Sequence, residues 1–99
     1  MIKSFGDKDT EYFFKNFNTI NPLHSKFPPD LYRRIMRKLL IINAASQLMD
    51  LYSIPGNGVE KLYPKGSNIF SIRINDKYRI IFRWENGDAF DVKVVDYHK

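Results

Sequence analysis

The sequence of 99 residues contains no cysteine. This absence excludes a disulfide framework, a thiol nucleophile and a cysteine-based zinc site, and it permits a reducing compartment. Nowhere does the chain offer about 18 consecutive uncharged apolar residues, and its charged start lacks the apolar run of a signal peptide. We therefore expect a cytoplasmic protein that does not enter a membrane.

Several motifs of well-known enzyme classes are also missing. The sequence has no glycine-rich phosphate loop, no His-Glu-x-x-His pair and no Gly-x-Ser-x-Gly turn, so it lacks the residues for P-loop, zinc-hydrolase or serine-hydrolase chemistry. Only two histidines are present, His24 in a proline-containing loop and His98 beside the C-terminus. We expect neither a metal ion nor a cofactor.

The residues that are present carry an excess of positive charge. Lys and Arg number 16 against 11 Asp and Glu, which gives a formal net charge of +5. Such a charge favours an anionic partner, although it could serve solubility alone. Hydrophobic residues make up 43% of the chain and aromatic ones 15%, enough for the core of one domain spanning residues 1–99.

The first half of the chain predicts a short strand and two helices. Residues 2–5 alternate apolar and polar side chains, and a first helix is expected to end near Phe17. The longest helix is predicted from Asp30 to about Leu48, with an apolar stripe made of Leu31, Ile35, Leu39 and Ile42. The basic residues off that stripe, Arg33, Arg34, Arg37 and Lys38, fit either a solvated face or a contact with nucleic acid or the ribosome.

The second half predicts an antiparallel sheet after a turn at residues 54–58. We place strands at residues 59–63, 69–74, 78–84 and 89–97, which gives an α+β domain with the helices on one sheet face. Alternation along three strands predicts one apolar face. Its members are Phe70, Ile72, Ile74, Tyr78, Ile80, Phe82, Trp84, Phe90, Val92 and Val94.

The opposite face of the sheet carries charged residues, and hairpin geometry predicts which of them lie opposite each other. A three-residue loop at residues 75–77 places Arg73 directly across from Arg79. Two facing cations cost up to about 1 kcal/mol, which a phosphate between them would offset. A five-residue turn at residues 85–89 pairs Trp84 with Phe90 and Arg83 with Asp91. The alternative is that these arginines are ordinary exposed residues, with Arg83 bridging Asp91.

The chain ends in Asp96-Tyr97-His98. An imidazole can accept or donate a proton near neutral pH, and a carboxylate can fix its tautomer. This segment therefore predicts either an acid–base cluster beside the basic face or simply a frayed end.

In combination these motifs resemble the HigB branch of the RelE-like type II toxins over essentially the whole chain. The matching segments are Met1–Phe5, Pro55–Asn57, Phe70–Asn75, Tyr78–Ile80, Phe82–Trp84, Gly87–Val92 and Asp96–His98. The resemblance implies a RelE-like fold and a toxin that cleaves messenger RNA in the A site of the 70S ribosome, against 16S ribosomal RNA. It also implies a HigA-type helix-turn-helix antitoxin, through which the protein would reach operator DNA only indirectly.

The resemblance assigns roles to particular residues. Arg79 would hold the scissile phosphate, and Arg73 occupies the basic position of the preceding strand. Tyr97 and His98, with Asp96 beside them, would form the terminal catalytic group. RNA-binding charge is expected from Lys61, Lys65 and Arg83. Tyr63 takes the place of a histidine that many relatives carry, which leaves His98 as the expected imidazole of the site.

The resulting hypothesis is a metal-free endoribonuclease in which the RNA 2′-OH attacks its own phosphate. One alternative is a ParE-like toxin that inhibits DNA gyrase without catalysis. The other is a basic RNA-binding module whose aromatic residues stack on bases. The Asp96-Tyr97-His98 ending favours the nuclease, because a gyrase inhibitor has no need of it.

Overall fold

A computed structural model describes residues 1–19, 26–62 and 66–96. In chain order these residues form α1 (Lys8–Lys15), a 3₁₀ turn (Phe17–Thr19), a second 3₁₀ turn (Pro29–Leu31), α2 (Tyr32–Ala44) and α3 (Leu48–Tyr52). The strands β1 (Glu60–Lys61), β2 (Ile69–Arg73), β3 (Tyr78–Glu85) and β4 (Asp88–Asp96) follow. Within the described ranges the strands form one antiparallel sheet in the order β1-β2-β3-β4. The predicted α+β fold is confirmed.

The N-terminal segment lies along β4 without forming the regular strand that the alternation predicts. It makes two isolated parallel bridges, Ile2 with Ala89 and Phe5 with Val92. Between them the backbone N–H of Asp91 donates to the Ser4 hydroxyl at 2.8 Å. Asp91 has a positive φ of 55°, which is typical of a bulge, and the bulge interrupts the ladder.

The first helix begins where the sequence provides a cap. The Asp7 side chain accepts from the backbone N–H of Thr10 at 2.7 Å, and Asp9 and Glu11 follow in the first turn. Negative charge at a helix N-terminus is favourable because it faces unpaired N–H groups. Thr10 then connects α1 to the sheet, since its hydroxyl accepts from the Val94 N–H at 3.0 Å.

The predicted long helix is two helices. Ile35, Leu39 and Ile42 are buried as the stripe predicts, but α2 ends at Ala44 and α3 begins at Leu48. The Asp50 carboxylate accepts from the backbone N–H groups of Ser46 and Gln47, at 3.0 and 3.1 Å. These hydrogen bonds, led by the one from Ser46, hold the pKa of Asp50 below its usual range. They cap α3 and so compete with continuation of α2.

The apolar face of the sheet packs against the helices as predicted, with one exception. Phe70, Ile72, Ile74, Ile80, Phe82, Val92 and Val94 are all buried in the core. The exception is Phe90, which lies on the opposite face with the Arg83 guanidinium 4.8 Å from its ring. Because of the bulge at Asp91, Ala89 takes the buried position that the simple alternation gives to Phe90.

The register between β2 and β3 is the predicted one, with Arg73 opposite Arg79 and Ile72 opposite Ile80. The register between β3 and β4 is different near the turn: Arg83 pairs with Phe90, and Trp84 pairs with Ala89. Asn86 and Gly87 both have positive φ, 50° and 82°, which is the geometry of a two-residue type I′ hairpin. The predicted five-residue turn is therefore wrong, and the bulge restores the expected pairing from Ile81 and Lys93 onward.

Phe13 is the centre of the aromatic part of the core. It is fully buried, and its ring lies 5.5, 5.3 and 5.2 Å from the rings of Phe17, Phe27 and Tyr32. We expect Phe13→Ala to lower the free energy of unfolding by about 3–5 kcal/mol, because it removes the ring and leaves a cavity. Urea unfolding followed by circular dichroism measures this. Tyr12→Ala, at an exposed position of the same helix, should change it by no more than about 0.5 kcal/mol, and equal effects of the two would contradict the assignment.

Candidate active site

Two arginines share the sheet face that the helices do not cover. Cross-strand partners in an antiparallel pair point to the same face, and Arg73 lies opposite Arg79. Glu60 of β1 lies opposite Ser71, which is two residues from Arg73 in β2, so Glu60 points to the same face. The register thus brings two guanidinium groups and one carboxylate to one end of the sheet.

Arg79 is held firmly at this place. Its side chain is only 9% exposed, and its Nη2 donates to the Gly58 carbonyl oxygen at 2.7 Å. Its Nε donates to the Ser71 hydroxyl at 3.3 Å, and Nη2 lies 3.4 Å from Oε1 of Glu60. A guanidinium bound on several sides is fixed in orientation, which is what a group that positions a phosphate requires.

A tight turn provides the carbonyl that binds Arg79. Gly58 has a φ of +54°, and a Cβ at this position would lie 3.4 Å from the Cβ of Arg73 and 3.6 Å from Nη2 of Arg79. Both distances are ordinary van der Waals contacts, so glycine is favoured here because it avoids the strained backbone. The Pro55–Asn57 segment of the predicted turn therefore precedes a residue with a structural role in the site.

Asn57 fixes that turn to the rest of the molecule. It is 1% exposed, and its Nδ2 donates to the Leu51 carbonyl oxygen at 2.9 Å. Its Oδ1 accepts from Nζ of Lys38 at 2.7 Å, and its backbone oxygen accepts from the Arg73 N–H at 2.7 Å. The buried Asn57 thus links α2 and α3 through its side chain, and β2 through its backbone oxygen, around the carbonyl that holds Arg79.

The arginines border an open pocket of about 210 Å³. We call this the arginine pocket; it is lined by Glu60, Arg73, Asn75, Asp76 and Arg79. Arg73 is half-exposed and forms an ion pair with Asp76, whose side chain is 94% exposed. Exposed ion pairs contribute little to stability, so an incoming anion can displace the Asp76 carboxylate at small cost.

Arg83 is not part of this pocket. It lies four residues from Arg79 along β3, roughly 13 Å at the rise of a strand. Its Nη1 pairs with Glu85 at 2.6 Å and its Nε with Asp91 at 3.4 Å. The hydrogen bond to Glu85 is the main cause that raises the pKa of Arg83. The predicted bridge to Asp91 is present, although the two residues are not direct strand partners.

Of the remaining predicted site residues, only Lys61 and Asp96 are among the described residues. Lys61 pairs with Phe70 across β1 and β2, with its Nζ 5.9 Å from the Phe70 ring centre, so it points to the face opposite Glu60 and does not join the arginines. Asp96 pairs with Tyr78 and lies 3.8 Å from Nζ of Lys77. The other predicted residues, Lys65, Tyr97 and His98, lie outside the described residues, as does Tyr63.

The sequence analysis missed several residues of the site, namely Glu60, Ser71, Asn57 and Gly58. The signal for Ser71 was available, because it shares the alternation of Arg73. Glu60 would have followed from the same alternation once β1 was paired with β2. In residues 1–19, 26–62 and 66–96 no group of three or more acidic or histidine side chains is arranged to hold a metal ion.

A family model described as "RelE-like toxin of type II toxin-antitoxin system HigB" matches residues 3–98. The chain belongs to the HigB family of RelE-like toxins. This confirms the resemblance noted in the sequence, and membership of a type II toxin–antitoxin family implies an antitoxin partner.

Curated relatives agree with this family. The chain is 35% identical over 99 residues to a protein of Vibrio cholerae named Toxin HigB-1, covering 100% of this chain and 99% of that protein. It is 33% identical over 101 residues to a protein of Proteus vulgaris named Endoribonuclease HigB, covering 99% and 100%. A third relative, an uncharacterized protein of Haemophilus influenzae, is 41% identical over 79 residues, covering 80% of this chain and 77% of that protein. None of the helices among the described residues of this HigB-family toxin is long and apolar enough to cross a membrane.

Proposed function

We propose that this HigB-family toxin is an endoribonuclease that cuts messenger RNA in the ribosomal A site. The observation that carries the proposal is the pair of guanidinium groups, Arg73 opposite Arg79, that border one open pocket together with Glu60. The relative from Proteus vulgaris named Endoribonuclease HigB supports the same activity.

The reaction that fits these groups is an internal transesterification of RNA. The 2′-oxygen forms a new bond to the adjacent phosphorus while the bond from phosphorus to the 5′-oxygen of the next nucleotide breaks. One group takes the proton of the 2′-OH, and another gives a proton to the leaving 5′-oxygen. The products are a 2′,3′-cyclic phosphate and a free 5′-OH, and no metal ion is required because arginine can stabilise the charge that develops on the phosphate.

Arg79 and Arg73 have complementary parts in this scheme. Arg79 is rigid and mostly buried, so it fixes the position of the phosphate. Arg73 is half-exposed and paired with an exposed aspartate, so it can exchange that carboxylate for a phosphate oxygen. Glu60 and Asp76 balance the charge of the two arginines while RNA is absent.

The tail residues are proposed as the proton-transfer group on chain geometry. Val95 is the cross-strand partner of Arg79. Because consecutive Cα atoms are 3.8 Å apart, residues 97 and 98 can lie no farther than about 8 and 11 Å from the Cα of Val95. His98 is proposed as the acid or base, with Tyr97 to stack on a base or assist proton transfer and Asp96 to orient the imidazole.

Glu60 is a second group able to accept a proton. Its carboxylate is exposed and already lies in the arginine pocket. We expect Glu60→Gln, which keeps the shape and removes the charge, to lower the single-turnover rate of cleavage by about a hundredfold. The measurement is a quench-flow time course on programmed ribosomes. Glu85→Gln, which alters a carboxylate paired with Arg83 away from the pocket, should leave the rate unchanged; an unaltered rate in Glu60→Gln would show that Glu60 is only a counter-ion of Arg79.

The proposed function is tested with purified protein, translating ribosomes and a defined messenger. We expect primer extension to reveal new messenger ends in the A-site codon, no cleavage of the same RNA without ribosomes, and no cleavage after the antitoxin is added. Intact messenger together with inhibited DNA gyrase would establish a ParE-like toxin instead. Stable RNA binding without cleavage would establish a binding module.

The antitoxin partner is proposed to be a HigA-type helix-turn-helix protein. Family membership supports an antitoxin, and the helix-turn-helix type explains how the toxin would reach operator DNA without binding it directly. Co-expression with the neighbouring reading frame, followed by co-purification and an operator gel-shift, tests this partner. A neighbouring product without a helix-turn-helix would contradict it.

A further inference from the structure

A second basic pocket borders the arginine pocket. We call it the α2 pocket; it has a volume of about 400 Å³ and is lined by Arg34, Arg37, Lys38, Gly56, Arg73, Ile74, Asn75 and Asp76. Four of these residues are cationic and one is a carboxylate. The carboxylate, Asp76, is already paired with Arg73, so among the described residues no other carboxylate lines the pocket beside the cations of α2.

The positively charged side chains of α2 lie close to one another, and this opposes the charged form of Lys38. Lys38 is only half-exposed, and its Nζ is fixed at 2.7 Å from Oδ1 of Asn57. Burial, together with the charges of Arg37 and Arg34, lowers its pKa. Arg34 donates to the Ile74 carbonyl oxygen at 3.4 Å, which directs it toward the β2–β3 loop.

Arg37 has no carboxylate within ion-pair distance among the residues that the structure describes. Like charges held close together repel each other unless an anion lies between them. The α2 pocket therefore matches an anion in charge. It is polar and open, as a site for a charged group of a large ligand must be.

The two pockets adjoin each other, since Arg73, Asn75 and Asp76 line both. A nucleic acid strand carries one phosphate per nucleotide. A strand that places one phosphate between Arg73 and Arg79 must therefore present a neighbouring phosphate close by. Arg73, at the border, can contact both.

We propose that the α2 pocket is a second phosphate subsite that binds an RNA phosphodiester group flanking the scissile one. The proposal rests on the proposed endoribonuclease function, and it assigns Arg34, Arg37 and Lys38 to substrate binding rather than to chemistry. It also accounts for three of the four basic residues of α2 that the sequence left open between a solvated face and an RNA contact.

The test measures binding rather than cleavage. The probe is a fluorescent single-stranded RNA oligomer with 2′-O-methyl groups, which cannot be cut because the attacking hydroxyl is blocked. We expect Arg37→Ala to weaken its binding and to reduce the slope of log K against log salt by about 0.7, the value for one lost phosphate contact on a single strand. The double variant Arg34→Ala, Arg37→Ala should lose about twice that slope.

Arg33→Ala is the matched control. Arg33 is an exposed residue of the same helix with the same charge, but it does not line the α2 pocket. It should leave both the affinity and the salt slope unchanged. Because all these side chains are exposed, thermal unfolding should be the same in the variants and the parent protein, which separates lost binding from lost folding.

A second arm identifies the source of the phosphate. Binding of the same variants to empty ribosomes reports ribosomal RNA, whereas the oligomer reports the message. A loss of oligomer binding supports the proposal, and a loss confined to empty ribosomes would assign the pocket to ribosomal RNA and overturn it. Unchanged binding in both arms overturns the proposal, and so does a loss confined to the antitoxin complex, which would make the pocket an acidic-protein site. The proposed function is tested separately by cleavage, so either proposal can fail while the other stands.

Discussion

Arg79→Ala is expected to reduce messenger cleavage on ribosomes by at least about a hundredfold. Arg79 is the more rigid of the two facing guanidinium groups, held by the Gly58 carbonyl oxygen, the Ser71 hydroxyl and Glu60. Without it, the negative charge that develops on the phosphate has no fixed donor. Single-turnover cleavage of a defined messenger, with primer extension as the readout, measures the loss.

The effect on folding must be separated from the effect on chemistry. Removing a buried guanidinium leaves the Gly58 carbonyl oxygen without its 2.7 Å donor, which costs about 1–3 kcal/mol. Antitoxin binding and thermal unfolding therefore accompany the assay. Arg79→Lys keeps the charge but loses the planar fork, so we expect its cleavage to remain far below that of the parent protein.

Arg83→Ala is the matched control for Arg79→Ala. It removes the same charge from the same strand, but Arg83 is paired with Glu85 and Asp91 and lies away from the arginine pocket. Near-parental cleavage is expected. Equal losses in Arg79→Ala and Arg83→Ala would show that general positive charge, and not a phosphate grip at Arg79, supports the reaction.

The sequence predicted the arginine pair because the decisive signal is local. The three-residue loop at 75–77 determines the register of β2 and β3, and the register determines that Arg73 faces Arg79. The next hairpin was predicted wrongly although Asn86-Gly87 is a strong two-residue turn signal. The bulge at Asp91, which then moves Phe90 to the polar face, depends on contacts with Ser4 at the other end of the chain.

Long-range pairing also explains which site residues were missed. β1 has only two residues, too few for an alternation pattern, and its faces are set by pairing with β2. That pairing directs the Glu60 side chain toward the arginines and the Lys61 side chain away from them. The sequence analysis had instead expected Lys61 to bind RNA. The break between α2 and α3 was missed because residues 45–47 contain no glycine or proline to mark it. It depends instead on a few hydrogen bonds to the Asp50 carboxylate.

His98→Gln is expected to lower cleavage by about a hundredfold or more, the usual contribution of a general acid or base. Glutamine can still form hydrogen bonds but cannot exchange a proton near neutral pH. The change should therefore also remove from the pH–rate profile the limb that belongs to an imidazole, which normally titrates near pH 6.5. Single-turnover cleavage from pH 5 to 8 on programmed ribosomes measures both effects.

The other histidine of the chain supplies the control for this prediction. His24→Gln removes an imidazole at a position far from His98 along the sequence, and it should change neither the rate nor the profile. If His98→Gln kept the imidazole limb, proton transfer would have to be assigned to another group in the arginine pocket, and Glu60 is the carboxylate already there. Preserved antitoxin binding in His98→Gln, with lost cleavage, would place the tail in the chemistry rather than in the fold.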